Sequence, residues 1–218
     1  MTRIAIVGGH GKVARHLIRD LRAAGHEPVA LVRREAYRPV LEELGAEVRL
    51  LDIEEQDADG FAAAFAGSSA VVFAAGAGYD GKAERKRTVD LEGSLKSIEG
   101  ARKAGIYRFV QVSASGMDEP VADGASETWR SYVEAKRDAD IALRDSGLDW
   151  TIIRPGVLTD DPPTGLVSLA SSVPKADVTR ADVAAVVAAV LDAPRSIGRQ
   201  WDLMGGTTAV AEAVATAD

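Results

Sequence analysis

The chain has no cysteine among its 218 residues. That excludes a disulfide framework, a thiolate nucleophile, an iron–sulfur cluster and any cysteine-based zinc site. Histidine is scarce: only His10, His16 and His26 occur. None stands at metal-ligand spacing from another, so no metal is expected. Long apolar runs are missing too. The longest, Val183 to Leu191, falls far short of the ~20 residues that span a bilayer. Positive charge is not in excess. A net charge of −7 argues against nucleic acid or an anionic membrane surface as the partner. The N-terminus enters a strand within three residues and carries no signal-peptide pattern, so a cytoplasmic location is expected.

What is present is an ordinary globular composition, 46% hydrophobic and 27% charged, sized for one domain with at most a small additional lobe. The charge is uneven. Residues 1–50 hold nine Lys/Arg against six acids, a surplus of +3, which leaves −10 for the rest. A basic first quarter in an acidic chain directs the search for an anion site there.

Short apolar runs alternate with helical patterns. Strands are expected at 3–7, 28–32, 47–51, 70–75, 108–112, 150–153 and 201–204. Helices are expected at 13–24, 37–44, 60–66, 83–104, 128–146, 180–192 and 208–216. Gly45, Gly105 and Gly147 stand as C-caps, and Thr179 with Asp182 opens the helix at 180. This alternation predicts an α/β fold, a doubly wound parallel sheet covered on both faces. It forms a single domain over 1–218 with a small C-terminal substrate lobe. The exception is 155–175, rich in proline and without periodicity. It reads as a substrate-side loop within 157–178.

The first strand runs directly into Gly8-Gly9-His10-Gly11-Lys12-Val13-Ala14, which opens the first helix. In that context the glycines point to a dinucleotide. Gly8 permits the tight turn, and Gly11 lets the backbone approach a pyrophosphate at the helix N-terminus. Ala14 allows close packing on the sheet. His10 either touches a phosphate or sits solvated in the loop. The second strand ends in Val32-Arg33-Arg34, where a site for the ribose 2′-hydroxyl would need an acid. A guanidinium fork suits a 2′-phosphate instead. NADP(H) is therefore expected over NAD(H), through Arg33 first and Arg34 second.

Three further motifs follow in order: Val112-Ser-Ala-Ser-Gly116, Tyr132-Val-Glu-Ala-Lys136 and Ile153-Arg-Pro-Gly156. With the glycine turn, they make the chain resemble the atypical short-chain dehydrogenase/reductase superfamily. The nearest likeness is to the NAD(P)H-binding group related to NmrA-like proteins and to flavin and biliverdin reductases. The resemblance covers almost the whole chain and implies a Rossmann fold. It further implies that Asp52 and Ile53 border the adenine, and that Ala74, Ala75 and Gly76 run beneath the adenosine ribose. Pro155 and Gly156 would flank the nicotinamide, and Ser115, with Ser113 at a neighbouring position, would belong to the catalytic set of Tyr132 and Lys136. The chemistry of the pair follows independently. Residues i and i+4 share a helix face, so the Lys136 ammonium can favour the Tyr132 phenolate and ready it for proton transfer. Asp90 departs from the asparagine often found at its place in reductases with a full tetrad.

The leading expectation is an NADP(H)-dependent oxidoreductase acting on a small carbonyl, quinone or flavin-like acceptor, as monomer or homodimer. A non-catalytic NADP(H)-binding redox sensor is the alternative from another class. A sugar-nucleotide epimerase or dehydratase is opposed by length, since 62 residues follow Gly156. The expected substrate walls are 76–81, 116–129 and 157–176. Trp129, one turn before Tyr132, either lines that pocket or packs. The acids Glu54, Glu55, Asp57 and Asp59 read as a solvated connection.

Overall fold

The computed structural model describes residues 1–78 and 82–218. Ile4, Ala5, Ile6 and Val7 are fully buried, which requires a strand covered on both faces. That strand, β1 (Arg3–Val7), lies inside a mainly parallel sheet. In chain order the other strands are β2 (Glu27–Val32), β3 (Glu47–Leu50), β4 (Ala70–Phe73), β5 (Arg108–Val112), β6 (Asp149–Pro155) and β7 (Val157–Thr159). After them come β8 (Leu166–Ala170), β9 (Asp177–Thr179), β10 (Arg199–Gly205) and β11 (Thr208–Ala209). Among the described residues, nine of these form one sheet in the order β11-β8-β10-β6-β5-β4-β1-β2-β3, while β7 and β9 pair separately. The order reverses direction between β1 and β4, and ligands of doubly wound sheets bind at such a switch point.

The helices are α1 (Lys12–Ala23), α2 (Arg38–Glu43), α3 (Ala58–Phe65), α4 (Ala83–Arg85), α5 (Gly93–Lys103), α6 (Glu127–Arg144), α7 (Arg180–Leu191) and α8 (Val210–Thr216). Helix α1 turns Val13, Leu17, Ile18 and Leu21 inward and packs beside α7, forming one core with one face of the sheet. Helices α3 and α5 pack together around Phe61, Phe65 and Phe109 on the other. No helix among the described residues is long and apolar enough to cross a membrane.

Three local expectations need correction. The stretch 155–175 is not irregular: it holds β7 and β8, and β9 follows at Asp177. Strand β8 runs antiparallel to β10 and β11, so the sheet is mixed at that edge rather than wholly parallel. Only Val167 and Leu169 of β8 are buried, the alternation of a half-covered strand. The helix expected over 83–104 is interrupted by a π-helix at Lys86–Glu92. Wide turns of this kind concentrate at functional sites, and here the turn buries Lys86, Val89 and Asp90. The helix expected at 37–44 shortens to α2, preceded by a 3₁₀ turn at Glu35–Tyr37.

The loop after β7 is fastened to α7 by a buried acid. Thr179 caps the helix by accepting from the Asp182 N–H at 2.9 Å. The Asp182 carboxylate accepts from the N–H of Thr164 (3.1 Å) and Gly165 (2.8 Å), and from the hydroxyls of Thr164 and Thr179 (3.0 and 2.9 Å). Burial alone would raise this carboxyl's pKa, but those bonds outweigh it and hold it below the usual value. Asp182→Ala removes the acceptor of four hydrogen bonds, three of them from the exposed residues Thr164 and Gly165, so a loss of about 1–3 kcal/mol is expected in chemical denaturation. Because the folded carboxyl titrates low, this stabilisation is full above about pH 4. It fades as pH falls through the folded value, so the gap between wild type and variant should narrow in acid.

Candidate functional site

The C-terminal ends of β1, β2 and β4 open onto two adjoining cavities, of about 320 and 690 Å³. Gly11, Ala74, Ala75 and Gly76 line both, so the glycine turn stands at their junction. The turn is tightly built. Gly8 has φ +82°, and a Cβ there would lie 2.8 Å from the Ala75 Cα. Only glycine meets both conditions. Gly9 faces the other way: a Cβ on it would lie 2.7 Å from the Ala30 side chain. Its smallness serves packing on β2.

The smaller cavity gathers Gly8, His10, Arg33, Asp52 and Ile53. The His10 ring stacks on Tyr37 at 3.7 Å and 6°. Burial and the Arg15 charge hold its pKa below the usual histidine value, so the ring is neutral at pH 7. Arg33 reaches this cavity, whereas Arg34 lines neither and lies 6.0 Å from the Tyr37 ring. Among the lining residues not anticipated are Glu54 and Arg85. Glu54 lies 3.9 Å from Arg33 and 3.3 Å from Arg85, and it accepts from Thr88 at 2.7 Å. It is thus not merely part of a solvated acidic connection. Its neighbours are: Asp57 caps α3, and Asp59 pairs with Lys103. Some of the basic residues of the first quarter are engaged structurally, with acids of the same quarter. Arg3, Arg38 and Arg49 each pair with nearby glutamates.

The larger cavity gathers Lys12, Val13, Ser113, Ser115, Tyr132, Lys136, Pro155 and Gly156. Helix α6 carries Tyr132 and Lys136 one turn apart and starts at Ser126, whose side chain accepts from the Trp129 N–H. Lys136 is buried and lies 3.1 Å from Asp90. Burial works against its charge, but Asp90, Tyr132 and Asp140 more than offset that and raise its pKa. The ammonium therefore persists at neutral pH. Asp90 also accepts the Ala77 N–H at 3.0 Å, which ties the wide turn to the strand end. Ser113 is committed elsewhere: it donates to buried Asp140 at 2.8 Å, alongside Gln111 (2.7 Å) and Arg154 (2.8 Å). Ser115 is half-buried on the cavity wall, and its N–H donates to the Pro155 carbonyl at 3.0 Å.

Trp129, Lys86 and Arg180 also belong to this wall. Trp129 is half-exposed, lines the cavity and sits 5.6 Å from the Tyr132 ring. Lys86 is buried, donates to the Gly78 carbonyl and lies 5.3 Å from the Tyr132 ring centroid. Arg180 opens α7 and pairs with Asp160 at 2.8 Å. No motif marks Lys86 in the sequence. Its signal is the four-residue spacing from Asp90, the same spacing as Tyr132 and Lys136. Of the expected wall 76–81, residues 79–81 lie outside the described residues.

A glycine turn at the switch point of a doubly wound sheet, with two cavities meeting on it, defines a Rossmann-fold dinucleotide-binding protein. The NAD(P)H-binding family matches residues 8–194, and the chain belongs to it. The chain is 37% identical over 213 residues to an uncharacterized sugar epimerase of Bacillus subtilis, covering 97% of this chain and 98% of that protein. A solved structure from Bacillus halodurans, provisionally described as an NAD-dependent epimerase/dehydratase, is 41% identical with TM-score 0.91, covering 99% of each chain. The structure of an oxidoreductase from Lactococcus lactis is 27% identical with TM-score 0.85, covering 98% of this chain and 95% of that one. The protein is thus an NAD(P)H-binding protein with a Rossmann fold, similar over nearly its whole length to proteins described as epimerases and as an oxidoreductase.

Proposed function

We propose that the protein is an NADP(H)-dependent oxidoreductase that reduces a small carbonyl, quinone or flavin-like acceptor in the larger cavity. The observation that carries this reading is the convergence of Tyr132, Lys136 and Ser115 on the cavity adjoining the glycine turn. The residues fit a dinucleotide. The smaller cavity offers Arg33 beside apolar Ile53 and Ala75, and the turn between the cavities is too tight at Gly8 for a side chain. A bound nicotinamide supplies or accepts a hydride. For a carbonyl acceptor, the Tyr132 hydroxyl gives its proton to the carbonyl oxygen, so that hydride plus proton yields an alcohol. Ser115 donates a hydrogen bond to the same oxygen. Lys136 holds Tyr132 in readiness and would hold the nicotinamide ribose of a bound cofactor. The test is NADPH oxidation followed at 340 nm against aldehydes, quinones and flavins. Tight NADPH binding without turnover of any acceptor would overturn the enzyme reading.

One observation favours a sensor that binds NADP(H) without chemistry. Asp90, 3.1 Å from Lys136, weakens the positive field at Tyr132. Asp90→Asn tests that influence on the tyrosine, while turnover itself separates the two readings. In an enzyme, removing that negative charge lowers the Tyr132 pKa. The basic limb of kcat/KM for carbonyl reduction should then move to lower pH by up to about one unit. An unmoved limb, or a move to higher pH, would break the proposed coupling of Asp90, Lys136 and Tyr132. The epimerase reading draws support from the names of two relatives. The chain spans nearly their whole length, so size does not separate it from them. It is checked by offering nucleotide sugars in the same assay series.

A further inference from the structure

The larger cavity is positively charged within an acidic protein. Its lining carries Lys12, Lys86, Lys136 and Arg180 against one lining carboxylate, Asp90, while Asp160, outside the lining, pairs with Lys12 and Arg180. Asp90 is taken up by Lys136. Taking this cavity as the acceptor site, the pyrophosphate belongs at the N-terminus of α1, where Lys12 stands. Lys86 and Arg180 then remain for the acceptor.

Lys86 is only 7% exposed. An ammonium has three donors. Lys86 directs one to the Gly78 carbonyl and faces the Tyr132 ring. Among the described residues no carboxylate pairs with it. Burying an ammonium without a counter-charge is costly, and an anion in the cavity would offset that cost. Arg180 gives the second indication. Together with Lys12 it holds the two oxygens of the exposed Asp160 carboxylate, a partner that an acid in the cavity would displace or share. Met117, Trp129 and Leu158 give the same cavity an apolar side.

We propose that the acceptor is an acid: a carboxylate or phosphate on a skeleton with an apolar face, held by Lys86 and Arg180 while its reducible group reaches Tyr132. This rests on the reading of the larger cavity as the acceptor site. The test uses matched probes on the full-length protein saturated with NADP⁺. Binding of benzoate, phenyl phosphate and neutral methyl benzoate is measured by calorimetry, on wild type and on Lys86→Met and Arg180→Met. NADPH oxidation is followed with 4-carboxybenzaldehyde and its methyl ester. At least one acid should bind about tenfold tighter than the ester. That advantage should shrink with added salt and collapse in either variant, while ester binding and NADP⁺ binding stay unchanged. A preference for phenyl phosphate or for benzoate tells which anion the site takes. Equal binding of acids and ester overturns the proposal, as does an advantage that survives in both variants. Selective acid binding without reduction of either aldehyde would sink the oxidoreductase reading alone. Equal reduction of aldehyde acid and ester, without selective binding, would sink this inference alone.

Discussion

Tyr132→Phe is expected to lower kcat/KM for carbonyl reduction by about 10²- to 10⁴-fold, the usual share of a positioned proton donor. NADPH affinity should hold within about twofold, because the change removes a transition-state group rather than a cofactor contact. The geometry makes this a clean substitution. The phenyl ring that remains still faces the Lys86 ammonium, 5.3 Å from its centroid, and still packs beside Trp129 at 5.6 Å. What disappears is the hydroxyl one helical turn from the Lys136 ammonium. Steady-state NADPH oxidation gives the loss in turnover, and NADPH fluorescence titration checks binding on the same preparation. Turnover unaffected by the change would remove the tyrosine from the mechanism. Direct hydride transfer to a quinone or flavin would then be the surviving chemistry.

The second large effect concerns the cofactor. Arg33→Ser should weaken NADPH binding by about 10- to 100-fold, since charge-assisted hydrogen bonds contribute about 1.5–3 kcal/mol. NADH binding should stay nearly constant. Arg34→Ser should do much less, because Arg34 lines neither cavity and is turned toward Tyr37. The nearby Glu54 does not offer the acid that an NAD site places at the end of the second strand. It comes from the segment after β3 and is engaged by Arg85 and Thr88. Isothermal calorimetry with both cofactors on the wild type and the two variants decides the matter. Equal dissociation constants for NADPH and NADH in the wild type would overturn the preference.

Strands β1, β4 and β5 were legible because their apolar runs are continuous, as burial on both faces demands. The glycine turn was legible because a strand and a helix flank it in sequence. Tyr132 and Lys136 were legible because one regular helix carries both. The rest was hidden for physical reasons. Strand β8 is a half-covered strand whose partner, β10, begins 29 residues after β8 ends. Five residues of weak alternation carry no trace of that pairing. Glu54 looked like one more solvated acid because its partners, Arg33 and Arg85, come from distant segments. Lys86 carries no mark of its own in the helix expected over 83–104. Only the wide turn buries it and brings it to the Tyr132 ring.

That wide turn has a consequence for how the site can change over generations. A π-turn is an α-helix holding one residue more than its hydrogen bonds would otherwise close around. Losing a single residue between Lys86 and Asp90 would restore the regular spiral and turn the helical residues just upstream, Ala83 to Lys86, by about 100° about the helix axis. Asp90 would keep its place against Lys136, while the ammonium now at 86 would rotate off the cavity wall. Loss of one codon would thus take one cation, Lys86, out of the pocket wall while Lys12, Lys136 and Arg180 stay. Insertion and deletion, rather than substitution, would be the short path between relatives that share this scaffold and differ in what they accept.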